Sequence, residues 1–290
     1  MNNLLTRTLS GAVFVVLVIG SILLDPLVFA GLFFMITILG LWEIYGIFRL
    51  KAFSPNRWIG TIVGGLLYLS ICLIHPALGK YFFDLDSFMG AFAYVAYFAA
   101  IVLFLILVLF VLMLAEIFRK QDHPFENVAL TFLGIIYVAL PLGLLNSFFY
   151  INPTSIASPN ILLGVFLLIW VNDTFAYLSG MSFGKHPLYP RLSPKKTWEG
   201  SIGGAIFALM TAFLLSTFFK TPGTLVWLIV GMVCIIFGTL GDLAESMLKR
   251  SFNIKDSGNI MPGHGGILDR FDAVLMATPF VLLILFITSL

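Results

Sequence analysis

The feature that most constrains this sequence is a series of apolar runs, each long enough to cross a lipid bilayer as a helix. A bilayer core of about 30 Å needs roughly 20 apolar residues per helix. Polar residues divide the chain into nine such runs, at approximately 10–24, 26–48, 58–78, 90–117, 127–150, 160–181, 198–218, 223–247 and 271–289. The pattern predicts an all-α, polytopic integral membrane protein with about nine transmembrane helices.

Composition supports this class and excludes others. Hydrophobic residues make up 60% of the chain and charged residues 10%, against roughly 45–50% and about 25% in soluble domains. A net charge of only +2 argues against a nucleic-acid partner. Cys72 and Cys234 both lie inside apolar runs, where a thiol behaves as a small hydrophobe, so we expect neither a disulfide nor a zinc site.

The first run has one alternative interpretation. Arg7 followed by the apolar stretch 11–24 also fits a secretory signal peptide. Asp25 and Pro26 follow without a clear small-x-small cleavage motif, and a second apolar run begins at once. We therefore prefer an uncleaved first span.

The basic residues predict an orientation. With nine spans, 14 of the 16 Lys and Arg residues fall on the side that holds the N-terminus, and only Lys80 and Lys220 fall on the other. Because cytoplasmic loops carry the excess of basic residues, the N-terminus is predicted to be cytoplasmic and the C-terminus to lie on the opposite side.

Charge is concentrated near the C-terminus. Half of the 30 charged residues lie in two blocks, 173–199 and 242–272. We therefore divide the chain into N-terminal spans over 1–157 and a C-terminal catalytic region over 158–290. The latter contains two cytoplasmic loops, 182–197 and 248–270.

The second block predicts a metal and phosphate site. Asp242, Glu245, Ser246 and Lys249 share one face of a helix, because they are three, four and seven residues apart. Oxygen ligands without His or Cys suit Mg²⁺, which is usually held by one or two carboxylates plus substrate phosphates. Two further groups of residues complete the predicted site. Asp269 and Asp272 share a face at the start of the next helix. Cations for phosphate are supplied by Lys249, Arg250, Lys255 and Arg270.

A glycine-rich turn precedes that next helix. Gly263, Gly265 and Gly266 free the backbone for positive φ and for presenting N–H groups to an anion. His264 inside the turn could donate to a phosphate oxygen, although a structural hydrogen bond explains it equally well.

The first block adds one acid within a membrane span and three loop lysines. Asp173 lies in the middle of the sixth span, and Lys185, Lys195 and Lys196 lie in the following loop. Such lysines are usually only positive-inside signals; for Lys195 and Lys196 that explanation and phosphate binding weigh equally.

At these two blocks the sequence resembles a known family, the phosphatidate cytidylyltransferases, or CDP-diacylglycerol synthases. The similarity covers about the last 120 residues. It rests on Asn172, Asp173, Gly184, Lys185, His186, Ser193, Pro194, Lys195, Lys196, Thr197, Trp198, Glu199 and Gly200, and on Ser246, Lys249, Arg250, Lys255, Asp256, Ser257, Pro262, Gly263, His264, Gly265, Gly266, Asp269, Arg270 and Asp272. The N-terminal spans match nothing diagnostic.

The resemblance implies that CTP and phosphatidic acid give CDP-diacylglycerol and pyrophosphate, with Mg²⁺ alone or with a second cation, in a homodimer. The implied location is a bacterial inner membrane, with the site at its cytoplasmic face. We assign three sets of residues. Metal ligands are Asp242, Asp269 and Asp173; catalytic residues are Lys249, Asp256, Arg270 and Asp272; substrate-binding residues are Lys185, Lys195, Lys196, Ser246, Arg250, Lys255, Gly263, His264, Gly265 and Gly266.

Two alternatives remain. A CTP-dependent lipid kinase of the polyprenol or dolichol type would use the same groups but release CDP. A transporter would place charges at related positions in two halves, and here they lie almost wholly in the C-terminal half.

Overall fold

The computed structural model of the chain describes residues 3–74, 90–150, 158–258 and 265–289. In this described part, seven helices are long and apolar enough to span a membrane. Two shorter apolar helices, Leu9–Leu24 and Arg57–Leu73, coincide with the first and third predicted runs. The prediction of an all-α, polytopic membrane protein is confirmed.

The helices follow the predicted runs closely, within a few residues at most ends. The end of the third run, 75–78, lies outside the described residues. In chain order the helices are α1 Asn3–Leu24, α2 Pro26–Phe48, α3 Arg57–Ile74, α4 Gly90–Arg119, α5 Pro124–Gly134, α6 Leu140–Leu144, α7 Asn160–Phe183, α8 Trp198–Phe218, α9 Thr224–Ser251 and α10 Leu268–Ser289.

Two prolines mark a helix start and a change in helical hydrogen bonding. Asp25 separates α1 from α2: its carboxylate accepts a hydrogen bond of 2.7 Å from the N–H of Leu27, and Pro26 occupies the first turn, where its missing N–H costs nothing. Pro141 lies within the span Pro124–Tyr150. A π-helical turn at Ile135–Ala139 precedes it and widens the backbone where a proline ring would otherwise meet the carbonyl four residues earlier.

The loop predicted at 182–197 contains a small β-hairpin that the sequence did not indicate. Strand β1 is Pro187–Tyr189 and strand β2 is Ser193–Thr197, and they pair antiparallel with Pro187 opposite Thr197. Thr197 ends the hairpin and also caps α8, since its hydroxyl accepts from the N–H of Gly200 at 3.1 Å. The hairpin is thus fixed directly to the start of a membrane helix.

The chain divides into two compact units. One contains residues 25–150, and the other combines residues 1–24 with residues 151–290. The break near residue 150 is close to the predicted one at 157. Helix α1 groups with the later helices, whereas the predicted division placed it among the N-terminal spans.

Glycines set the helix spacing in the unit that holds α7–α10. A Cβ at Gly204 of α8 would collide with the carbonyl oxygen of Asn172 on α7. A Cβ at Gly241 of α9 would collide with the carbonyl of Asp272 on α10. These contacts bring Asp173, Asp242 and Asp272 toward one another.

Candidate active site

Lys249 lies at the centre of one charged cluster. Its ammonium group contacts Glu245 Oε2 at 2.6 Å and Asp269 Oδ1 at 2.7 Å. The three side chains are only 14%, 4% and 8% exposed, respectively. Charges this far from water persist only when they are paired and hydrogen-bonded, so each carboxylate depends on the lysine between them.

Asp269 also holds the loop that precedes α10. Its second oxygen accepts from the backbone N–H of Ser257 at 3.0 Å and of Gly266 at 2.8 Å. Gly265 has φ of +82°, a left-handed conformation that glycine adopts without strain. The positive φ predicted for this glycine-rich segment is therefore present at Gly265, and the anion that the Gly266 amide contacts is the Asp269 carboxylate.

A second charged cluster surrounds Asp242. Lys196, at the end of the hairpin, forms an ion pair with Asp242. The Asp272 carboxyl lies within hydrogen-bonding reach of the Asp242 carboxyl. Asp173 is close enough to interact electrostatically with both Asp242 and Lys196. Acids from α7, α9 and α10 thus lie close to one another, and the lysine of the hairpin interacts with the first two of them.

Both clusters line a single cavity of about 1020 Å³ within this unit. This volume is at the upper end of the range of about 300–1,000 Å³ that is usual for ligand sites. Ten predicted site residues line it: Asp173, Lys195, Lys196, Asp242, Ser246, Lys249, Asp256, Asp269, Arg270 and Asp272.

The other predicted site residues lie elsewhere or outside the described part. Lys185, Arg250 and Lys255 are exposed and do not line the cavity. A guanidinium nitrogen of Arg250 donates to the carbonyl of Ile254 at 3.3 Å. Gly265 and Gly266 do not line the cavity either, and Gly263 and His264 are not among the described residues.

The charge balance of the cavity indicates a cation. Its lining carries six carboxylates but only four basic side chains. Two buried acceptor oxygens on lining residues, Glu245 Oε1 and Asn172 Oδ1, have no hydrogen-bond partner within the described part of the chain. Oxygen donors with excess negative charge fit Mg²⁺ and would repel a triphosphate that arrived without a cation.

The described residues alone do not complete a coordination shell. Over the described ranges, no three His, Cys, Asp or Glu side chains are close enough together to hold a metal ion. Asp173 and Asp242 lie together, whereas Asp269 is bound by Lys249 and by backbone N–H groups. Such an arrangement suits Mg²⁺, because substrate phosphates normally supply part of its coordination.

Sequence reasoning did not assign a role to Glu199. One of its carboxylate oxygens accepts from the backbone N–H groups of Lys185 at 3.1 Å and His186 at 3.2 Å, and the other contacts His186 Nδ1 at 2.6 Å. These contacts close the base of the hairpin that carries Lys195 and Lys196. The sequence offered one signal for this role, which was the position of Glu199 at the start of α8, two residues after Thr197.

Sequence reasoning also missed the contribution of α1. Ser10, Gly11, Phe14 and Val15 line the cavity together with the charged residues. No motif marks this segment, because an apolar helix that faces a site looks the same in sequence as one that faces lipid.

The fold and the site together define a polytopic membrane protein with a charged, oxygen-rich cavity at the ends of its C-terminal helices. The model of the cytidylyltransferase family matches residues 5–288. The chain therefore belongs to the cytidylyltransferase family, and the predicted resemblance is confirmed.

Curated relatives agree with this family. The chain is 40% identical over 171 residues to the phosphatidate cytidylyltransferase of Staphylococcus haemolyticus (strain JCSC1435). Identity is 39% to the protein of the same name from Staphylococcus aureus (strain COL) and 37% to that from Staphylococcus epidermidis (strain ATCC 35984 / DSM 28319 / BCRC 17069 / CCUG 31568 / BM 3577 / RP62A). Each match covers 58% of this chain and 63% of the relative.

Proposed function

We propose that this protein is a phosphatidate cytidylyltransferase, which transfers the cytidylyl group of CTP to phosphatidic acid and releases pyrophosphate. The observation that carries the proposal is the single cavity that Lys196–Asp242 and Lys249–Asp269 line together. Family membership and the names of the relatives support the choice of substrates. The apolar helices and the bacterial relatives support an inner-membrane location.

The proposed reaction needs no protein nucleophile. A phosphate oxygen of phosphatidic acid attacks the α-phosphorus of CTP and forms a new P–O bond. The bond between the α-phosphorus and the bridging oxygen breaks, and pyrophosphate leaves with its electron pair. Phosphatidic acid is anionic near neutral pH, so the attacking oxygen needs no general base. Catalysis then consists mainly of positioning and charge stabilisation.

The roles of the residues follow from their positions around the cavity. Lys195 and Lys196 would bind the phosphates of CTP from the hairpin, and Lys249 and Arg270 would stabilise charge from the opposite helices. Asp242 and Asp173 would hold Mg²⁺ together with oxygens of the substrate phosphates, and the ion would supply neutralising charge when bound. Asp269 would keep Lys249 in place, and its assignment as a metal ligand stays a prediction. The remaining assignments, including the homodimer and the cytoplasmic N-terminus, stay predictions.

Labelled CTP distinguishes the proposal from its nearest rival. Purified full-length protein in detergent is incubated with Mg²⁺, with CTP labelled at either the α- or the γ-phosphorus, and with either phosphatidic acid or a polyprenol as the lipid. The expected result is α-label in a cytidine-bearing lipid and γ-label in pyrophosphate. If the γ-label appeared in a lipid, with CDP released, the protein would instead be a CTP-dependent kinase. Absence of any chemical conversion would contradict the proposal.

A further inference from the structure

Helix α1 is fixed to the site by an aromatic contact. The ring of Phe14 packs edge-to-face against that of Phe271, with 5.4 Å between centroids. Phe271 is 1% exposed and lies between Arg270 and Asp272 in sequence, both of which line the cavity. The position of α1 is therefore coupled directly to charged residues of the site.

The lining of the cavity combines charged and apolar residues. The charged residues come from the hairpin, from Asp173 of α7, from the C-terminal part of α9 and the loop that follows it, and from the start of α10. Four other lining residues are apolar or aromatic, and we call them the apolar wall: Phe14 and Val15 of α1 and Ile169 and Trp170 of α7. Phe14, Val15 and Ile169 have no polar side-chain atom, so they have no means of binding a triphosphate or a metal ion.

An apolar wall beside a phosphate site matches the chemistry of a lipid phosphate. Its polar group must reach the lysines, while the glycerol and acyl carbons attached to it need apolar surroundings. Helix α7 is long and apolar enough to span a membrane, and Leu9–Leu24 of α1 is a shorter apolar helix, so acyl chains on this wall would remain in apolar surroundings. Because the base of a nucleotide can also stack on the rings of Phe14 and Trp170, the KM for CTP must be measured alongside the lipid preference.

We propose that Phe14, Val15, Ile169 and Trp170 form the binding site for the apolar part of the lipid substrate and select among its acyl chains. This inference rests on the proposed function and adds a specificity role for α1. Val15 is the residue best suited to test it, because its neighbour Val16 provides a matched control. Val15 lines the cavity, whereas Val16 does not and is 68% exposed.

The test compares Val15→Phe with Val16→Phe in the full-length protein. Both variants add the same ring to the same helix. Values of kcat/KM are measured for phosphatidic acids of increasing chain length in mixed micelles, together with KM for CTP. In Val15→Phe we expect kcat/KM for long chains to fall about tenfold relative to short chains. KM for CTP should stay within about twofold, and Val16→Phe should match the wild type.

A second variant covers the case in which Val15→Phe does not fold. Val15→Ala removes two methyl groups and should shift the preference toward bulkier chains. An unchanged chain-length profile in both Val15 variants, or an equal shift in Val16→Phe, overturns the inference while the proposed function stands. If the wild type makes no cytidine-bearing lipid from any phosphatidic acid, the proposed function fails and this inference fails with it.

Discussion

Two polar clusters in this apolar protein differ in how completely their charges are balanced. In the unit 25–150, Asn127 is fully buried: its amide donates to Glu116 at 3.0 Å and to the Asp122 carbonyl at 2.8 Å, and its oxygen accepts from the Ser54 N–H at 2.6 Å. Glu116 is paired with Arg119 at 2.7 Å. We call these residues the Asn127 network.

The charged residues that line the cavity, which we call the site cluster, have no such balance of charge. Asp242 has another carboxyl, Asp272, within hydrogen-bonding reach, and Lys249 must serve both Glu245 and Asp269. Like charges placed together in a poorly solvated site cost free energy unless a proton or cation separates them. The Asn127 network therefore has the properties of a structural element. The site cluster has the properties of a binding site for a charged ligand.

The strongest test of this difference is Asp242→Asn. The substitution keeps the size of the side chain but removes a charge from the acidic group that faces Lys196. We expect kcat to fall about 10²- to 10³-fold, the range found when one electrostatic contact to a transition state is removed. Folding should be nearly unaffected, because the site has excess acid to lose. The measurement is turnover of labelled CTP, with thermal unfolding in detergent recorded alongside.

Glu116→Gln is the matched control in the Asn127 network. Like Asp242→Asn, it converts a poorly exposed carboxylate that is paired with a basic residue to an amide. We expect it to lower thermal stability, whereas turnover per folded molecule should change little. Near-wild-type turnover in Asp242→Asn, or an equal loss in both variants, would remove the distinction between the two clusters.

A smaller effect is expected from Glu199→Ala, which tests whether the hairpin must be held in place. The substitution removes the acceptor of the Lys185 and His186 contacts and frees the base of the strand that carries Lys196. We expect KM for CTP to rise about tenfold, with a smaller change in kcat, because the lost interaction positions a substrate-binding group. Steady-state kinetics with CTP varied at saturating lipid give both values.

The chain offers a control for this variant in a second His–Glu pair. His123 Nδ1 lies 3.5 Å from Glu126 Oε1, and both side chains are about half exposed. Exposed pairs of this kind contribute little to stability, so Glu126→Ala should leave KM for CTP within about twofold of the wild type. Glu199→Gln, which keeps one oxygen acceptor, should fall between the wild type and Glu199→Ala. A KM for CTP that is unchanged in Glu199→Ala would show that these Glu199 contacts have no positioning role.

The fold was largely predictable from the sequence because its strongest signal is the length and position of apolar runs along the chain. Asp25 and Pro26, and the loop before Trp198, bound the apolar runs, and the helices begin or end at the same positions. Most charged residues of the site were also predictable, since ionisable groups in an apolar chain are costly and therefore few. The three predicted metal ligands, Asp173, Asp242 and Asp269, line the cavity, and their role as ligands stays a prediction.

Three features could not be read from the sequence, each for a physical reason. The apolar character of α1 shows that it avoids water, but not that Phe14 packs on Phe271. The short hairpin has no alternating apolar pattern over Ser193–Thr197. Which side chain pairs with Asp269 depends on how closely α9 and α10 pack at Gly241. The sequence shows a glycine at this position, but not which side chains the close approach of the two helices brings together.

Among these variants, Asn127→Ala should have the smallest effect on activity relative to its effect on stability. The side chain is 0% exposed, and its removal leaves the Ser54 N–H and one Glu116 oxygen without their partner. Each buried polar group left unpaired costs about 1–3 kcal/mol, so the thermal midpoint in detergent should fall by several degrees, while turnover of the folded fraction stays within about twofold of the wild type. Asn160→Ala, at the partly exposed first residue of α7, should leave both values unchanged. A loss of turnover in Asn127→Ala at temperatures where the protein remains folded would mean that the network acts on catalysis, because a support that only stabilises the fold has no effect on a molecule that is already folded.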